Sequence, residues 1–321
     1  MATKEVRLSL IKLRLAMIGT WALVTAVASL IFVAVLSYVG APFLSIYSIL
    51  GFVVFFHVFQ WLIGPYIVGA IYRVRPAEGE LAWLQESVHR IAQASGLSRQ
   101  PKTMVAEISI PNAFAYGSPL TGPIVAVTRP LVNNFPREEV EAIIGHEIGH
   151  IRHRDVAVML MISIIPAIIY YLGYSLLLSG MYGGRDRGGG GGAALIGGAL
   201  IAASFIFNLF VFYMSRLREY YADYHAATVV RDGARNLQRG LVRIMTLTGR
   251  LGKSQVAHYD QFKAFFIADP DQSLKAYGDI DRLVEEVKNS RPSLAMELFS
   301  THPHPAKRLK HLDKFISINV G

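Results

Sequence analysis

The run His146-Glu147-Ile148-Gly149-His150 puts two imidazoles four residues apart, with a carboxylate directly after the first. On an α-helix, positions i and i+4 share a face, so His146 and His150 can grip one metal ion together. Glu147 then stands beside the ion's open position, where it can take a proton from a bound water. That is chemistry suited to hydrolysing a peptide bond. Two histidines do not complete such a site, because three protein ligands plus water are usual. The chain has no cysteine, which excludes thiolate ligands and a disulfide framework and leaves His, Asp or Glu for the third ligand. Glu219 and Asp223 share a face in Glu219-Tyr220-Tyr221-Ala222-Asp223. One of them can bind the metal while the other takes the spare N–H of a ligand histidine and fixes its tautomer.

The elements that must carry these residues can be read around them. Pro136 suits a first helical turn, and Glu138, Glu139 and Glu141 suit the positive end of a helix dipole, so residues 136–144 lead the first motif onto a helix. Of 321 residues, 52% are hydrophobic and only 17% charged. A soluble domain would carry about a quarter charged residues, so part of this chain belongs in lipid. Four apolar segments, 16–39, 46–72, 156–178 and 193–214, meet the ~20-residue length that crosses a bilayer. The first lacks a small-residue cleavage site and is followed at once by the second, so it reads as half of a retained hairpin and not as a signal peptide.

Basic residues give the orientation. Lys4, Arg7, Lys12 and Arg14 precede the first segment, Arg73 and Arg75 follow the second, Arg152 and Arg154 precede the third, and Arg216 and Arg218 follow the fourth. Arg185 and Arg187 beside Asp186, between the third and fourth, are a mild counter-vote. Both termini and the metal motif are expected in the cytoplasm, with the chain multi-pass in the plasma membrane. The net charge of +9 suits contact with anionic headgroups. The basic residues are scattered and form no nucleic-acid module, so no nucleic-acid partner is expected.

Four stretches follow. Residues 1–72 form a transmembrane hairpin. Residues 73–155 form a cytoplasmic catalytic part with a sheet and the motif helix. Residues 156–214 form a second transmembrane pair joined by a glycine-rich external linker at 182–192. Residues 215–321 return to the cytoplasm with the third ligand. Within 73–155, Leu81, Leu84, Val88 and Ile91 mark an amphipathic helix over 81–95. Strands are expected at 103–110 and 124–128, interrupted after Pro111 by Asn112-Ala113-Phe114-Ala115-Tyr116-Gly117. A small antiparallel sheet packed on the motif helix would offer an edge strand to an extended peptide.

Together, the two metal motifs resemble those of the membrane zinc endopeptidases of the HtpX (heat-shock protease) family, relatives of the CAAX prenyl proteases. Asn112-Ala113-Phe114-Ala115, Asp155, and Thr301-His302-Pro303 followed by Arg308 also match. The resemblance implies a mainly α fold with four transmembrane helices and a cytoplasmic gluzincin-type domain. It implies one Zn2+ per chain on His146, His150 and Glu219, with Glu147 as general base and Asp223 holding a ligand in place. Asn112 and Phe114 would lie at the substrate-binding edge strand. His302 and Arg308 are candidates to steady the oxyanion, with a structural ion pair as the other role for Arg308. His304 is an extra histidine beside His302. The implied activity is endopeptidase cleavage of membrane or misfolded proteins in quality control and stress response. The alternatives are a prenyl-peptide protease, against which four helices and 321 residues argue, and a non-enzymatic metal-binding membrane protein with His153 as a fourth ligand. His153 itself reads as solvated, His225 as facing away from the metal, and His57 as a neutral, hydrogen-bonded group within the membrane.

Overall fold

A computed structural model describes residues 46–182, 190–251, 278–291 and 297–316. The apolar segment expected over 16–39 and most of the glycine-rich linker lie outside the described residues. In chain order the elements are α1 (Ile46–Ile71), β1 (Val74–Pro76), a 3-10 turn (Gly79–Leu81), α2 (Ala82–Ala94), β2 (Lys102–Ala106), β3 (Ala113–Ser118) and β4 (Gly122–Thr128). They continue with α3 (Arg129–Asn134), α4 (Arg137–Arg152), α5 (Asp155–Tyr182), α6 (Gly190–Val229), α7 (Gly233–Arg250), α8 (Ile280–Lys288) and α9 (Pro305–Asp313).

Among the described residues, three helices, α1, α5 and α6, are long and apolar enough to cross a membrane. Large apolar side chains such as Phe55, Met161, Ile206 and Phe210 stand exposed on them, a surface that lipid and not water would cover. With 40 residues, α6 is about 60 Å long, twice the ~30 Å of a hydrocarbon core. It therefore carries its last turns, with Glu219 and Asp223, well beyond the apolar stretch. The chain divides into two compact units. One combines residues 46–57 with 164–207, and the other combines 58–163 with 208–316. Every candidate site residue lies in the second.

The sheet has the order β1-β2-β4-β3. β1 and β2 are antiparallel, β3 and β4 are antiparallel, but β2 and β4 run parallel, with Met104 beside Ala126. The antiparallel sheet expected from sequence is therefore a mixed one. After β2 the chain leaves the sheet at Glu107, turns through Pro111 and returns along the far edge as β3. β4 then doubles back between the two, which forces it parallel to β2. Alternation along the strands buries both faces. Val105, Val125 and Val127 join Leu84, Ile91, Ile143, Ile144, Leu237 and Leu241 in the main core. Phe114, Tyr116, Ile124 and Ala126 pack instead on Val68 and Tyr72 at the end of α1.

Helix α4 is held from two sides. Glu139, nearly fully buried, takes both donors of Arg243 on α7 at 2.7 and 2.9 Å. On the α6 side the contact depends on missing side chains. A Cβ at Gly145 would meet Val230 Cγ2 at 2.6 Å, and one at Gly149 would meet Ala222 Cα and His225 Cβ at 3.1 Å. Each of these glycines directly precedes one of the two histidines, so the backbones of α4 and α6 touch where the metal motifs face each other. Gly149→Leu should force the helices apart at a cost of about 1–3 kcal/mol and lower bound metal, measurable by thermal unfolding with metal analysis.

Candidate metal centre

Helix α4 presents His146 and His150 on one face, and α6 brings Glu219 against them. Among the described residues these three form a group whose ligand atoms all lie within 4.8 Å of one another. The two Nε2 atoms are 3.1 Å apart, and each lies 3.6 Å from a Glu219 carboxylate oxygen. A tetrahedral ion bonded at ~2.0–2.1 Å would hold its ligand atoms about 3.3 Å apart, so the spacing fits such a metal. Glu219 Oε2 is buried and faces Arg308 Nη1 at 3.2 Å and His302 Nδ1 at 3.3 Å, surroundings that hold the carboxylate charged.

Each histidine is fixed from behind by a carboxylate, and each carboxylate by an arginine. His146 Nδ1 lies 3.0 Å from Asp223 Oδ1. Asp223 in turn accepts from Arg308 Nη2 at 2.6 Å and Nε at 2.9 Å, all of it buried. His150 Nδ1 donates to Asp155 Oδ2 at 2.6 Å, and Arg218 Nε lies 3.1 Å from that same oxygen. Such contacts fix the tautomer and leave both Nε2 atoms for the metal. The carboxylates of Glu147, Asp155, Glu219 and Asp223 outnumber the guanidiniums of Arg218 and Arg308 by two, a deficit that one divalent cation would neutralise. Asp155→Ala should weaken metal binding about 10- to 100-fold, read by chelator competition.

Charge follows from these contacts. Burial opposes a proton on His146, yet Asp223 and Glu219 outweigh it and push its pKa up to about 9. Metal and proton thus compete for the same nitrogen, and metal affinity should fall as the medium is acidified. Burial pushes the Glu147 carboxyl above its ordinary range, against the pull of His150 and His146. Glu147 Oε2 accepts the backbone N–H of Ala115 on β3 at 2.8 Å, so the edge strand and the base are one assembly.

The other expected residues separate clearly. His302 faces Glu219 Oε2 at 3.3 Å, and both its ring nitrogens are buried without a hydrogen bond. His304 instead accepts from Ala306 N at 3.2 Å and caps α9. Arg308 binds Asp223 through two bonds and lies 3.2 Å from Glu219. Phe114 lies on the edge strand, but its ring packs on Tyr72 at 5.0 Å in the core. Asn112, just before β3, is buried and pairs its backbone with Thr128. His153 is exposed and packs edge-on against Tyr221 and His225. His225 meets Ser95 Oγ at 2.8 Å, away from the ligand group. His57 donates from Nδ1 to Val53 O at 2.8 Å within its own helix. Sequence reasoning missed Arg218 as the partner of Asp155 and the Ala115 N–H. The only signal for Arg218 was its place one residue before Glu219.

The profile of peptidase family M48 matches residues 78–316, which span every residue of this centre. The chain belongs to peptidase family M48. It is 43% identical over 263 residues to the Protease HtpX homolog of Thermoplasma acidophilum, covering 79% of this chain and 81% of that protein. With the Thermoplasma volcanium homolog the identity is 38% over 310 residues, 96% of each chain. The M48 assignment makes the chain an HtpX-type metallopeptidase, and its apolar helices make it a membrane protein. The crystal structure of S. mikatae Ste24p shares the fold, with a TM-score of 0.55 at 21% identity. That likeness covers 90% of this chain but 62% of Ste24p, so this M48 chain spans less than two thirds of that protein's length.

Proposed function

We propose that the protein is a zinc-dependent integral membrane endopeptidase that cleaves membrane or misfolded proteins. Four helices would span the plasma membrane, with the site and both termini in the cytoplasm. The observation that carries this reading is the convergence of His146, His150 and Glu219 at tetrahedral spacing beside a buried Glu147. The donor set, two imidazoles and a carboxylate without sulfur, suits Zn2+. When bound, zinc polarises a scissile carbonyl and lowers the pKa of water.

The protein's own residues do the rest. Ala115 N–H holds one oxygen of Glu147, which fixes the carboxylate so that it can take a proton from water and deliver it to the leaving amine. The edge of β3 suits an extended substrate backbone. His302, buried with Nδ1 toward Glu219 and an Nε2 that makes no hydrogen bond, can donate from Nε2 to the developing oxyanion. Arg308 holds Asp223 and Glu219 in place. His153 packs on Tyr221 and His225, which argues against a closed four-ligand site of the metal-carrier kind. In detergent, Glu219→Ala should lose zinc and cleavage of an unfolded protein together. Full zinc occupancy in that variant would refute the ligand assignment.

A further inference from the structure

Two exposed apolar tips project from the unit that holds the metal centre, and each is fastened to a membrane-crossing helix. The first is the β3–β4 hairpin. Phe114 on β3 packs on Tyr72, just past the end of α1, and Tyr116 shares a cluster with Val68. Three residues beyond Phe114, Gly117 O accepts from Trp61 Nε1 at 3.1 Å. β3 thus runs back along the last turns of α1 toward its apolar middle. Trp61 lies about 15 Å, half a hydrocarbon core, before the end of α1 at Ile71.

The turn after Gly117 carries Leu120, 62% exposed. Three of its donors bond within the turn. Ser118 N donates to Thr121 Oγ1 at 3.0 Å, Thr121 N to Ser118 Oγ at 3.4 Å, and Thr121 Oγ1 to Gly122 O at 3.0 Å. Internal satisfaction of this kind is what backbone entering lipid requires.

The second tip is the turn 297–300. Arg216 Nη1 donates to Glu297 O at 2.9 Å and Ser300 O at 2.8 Å, and the guanidinium lies over the Tyr213 ring. Arginine and tyrosine at the end of an apolar helix mark the membrane interface. At that level the turn exposes Leu298 by 44% and Phe299 by 63%. Exposed apolar side chains also stand on the helix that holds each tip, Ile63 and Tyr66 on α1 and Phe210 and Tyr213 on α6.

We propose that the catalytic unit is seated in the bilayer surface through these two tips, Leu120 and Leu298-Phe299. Both are wired to the centre. β3 holds Glu147 through Ala115, and His302 follows Phe299 by three residues and faces Glu219. The seat opens the site at the lipid surface, toward polypeptide segments that are leaving the bilayer. This last step rests on the proposed function, whereas the seat itself does not.

The natural sequence has no cysteine, so single spin labels can be placed cleanly. Leu120→Cys and Phe299→Cys would be labelled in vesicles containing anionic lipid, with Ile206→Cys and Arg282→Cys as lipid-facing and water-facing references. Labels at 120 and 299 should be relaxed by dissolved oxygen, as at 206, and shielded from a water-soluble nickel chelate. Chelate access like that at 282, at either tip, overturns the seat. Shielding from both reagents means a protein partner and overturns it equally. Leu120→Glu with Phe299→Glu should slow cleavage of a membrane-anchored substrate about tenfold, the scale of charges placed near the interface, while a soluble peptide is cleaved as before. Equal loss on both substrates overturns the substrate link. If the wild type cleaves neither, the proposed function fails while the label result still decides the seat.

Discussion

Glu147→Gln should bind one zinc and cleave about 10²- to 10⁴-fold more slowly than the wild type, the range that a positioned base supplies. Glutamine keeps the size of the side chain, and its carbonyl can still accept the Ala115 N–H, so the edge strand stays docked. What disappears is the basic oxygen. The pH profile separates this from a loss of structure. The base acts as a carboxylate, and burial raises the Glu147 pKa, so wild-type kcat/KM falls as pH drops through that raised value. The residual rate of the variant should lack this acid limb, with an unfolding temperature close to the wild type. A variant that cleaved at the wild-type rate would remove Glu147 from the mechanism.

Arg308→Met should be the most destabilising single change near the site, by about 3–5 kcal/mol, because it leaves Asp223 and Glu219 as buried charges without their cation. Asp223 is fully buried and takes two bonds from Arg308. Thermal unfolding in detergent gives the loss, and the partner variant gives its cause. Adding Asp223→Leu should recover much of the stability by removing the stranded charge. It should not recover zinc affinity, because His146 then lacks the group that fixes its Nδ1 proton. Recovery of both would make the pair a packing device unrelated to the metal.

Contacts confined to one helix were readable in the sequence. His146 and His150 converge because of α-helical spacing alone, and the amphipathic stripe of α2 shows in Leu84, Val88 and Ile91 by the same rule. Glu219 and Asp223 were readable as a pair because the apolar run before them puts both on a helix leaving the membrane, and α6 continues unbroken through Val229, but only the family resemblance chose Glu219 as the ligand. The mixed sheet was not readable. Nothing in the residues of β2 and β4 distinguishes a parallel neighbour from an antiparallel one, and the order depends on β3 taking the outer edge. Arg218 meeting Asp155, and Ala115 meeting Glu147, join residues 63 and 32 positions apart, and only the packed tertiary structure brings them together. Gly149 stood in view within the motif and Gly145 directly before it. Their use, the close approach of α6, shows only once Ala222 and Val230 lie against them.

The central claim is that one zinc on His146, His150 and Glu219 makes this protein a peptidase. The most direct measurement takes wild-type protein in detergent, strips its metal with a chelator, and follows cleavage of an unfolded protein as zinc is returned. Cleavage should vanish with the metal and return in proportion to zinc, reaching its maximum at one ion per chain. Cleavage that persists in the metal-free protein, or that never appears when one zinc is bound, would contradict the account.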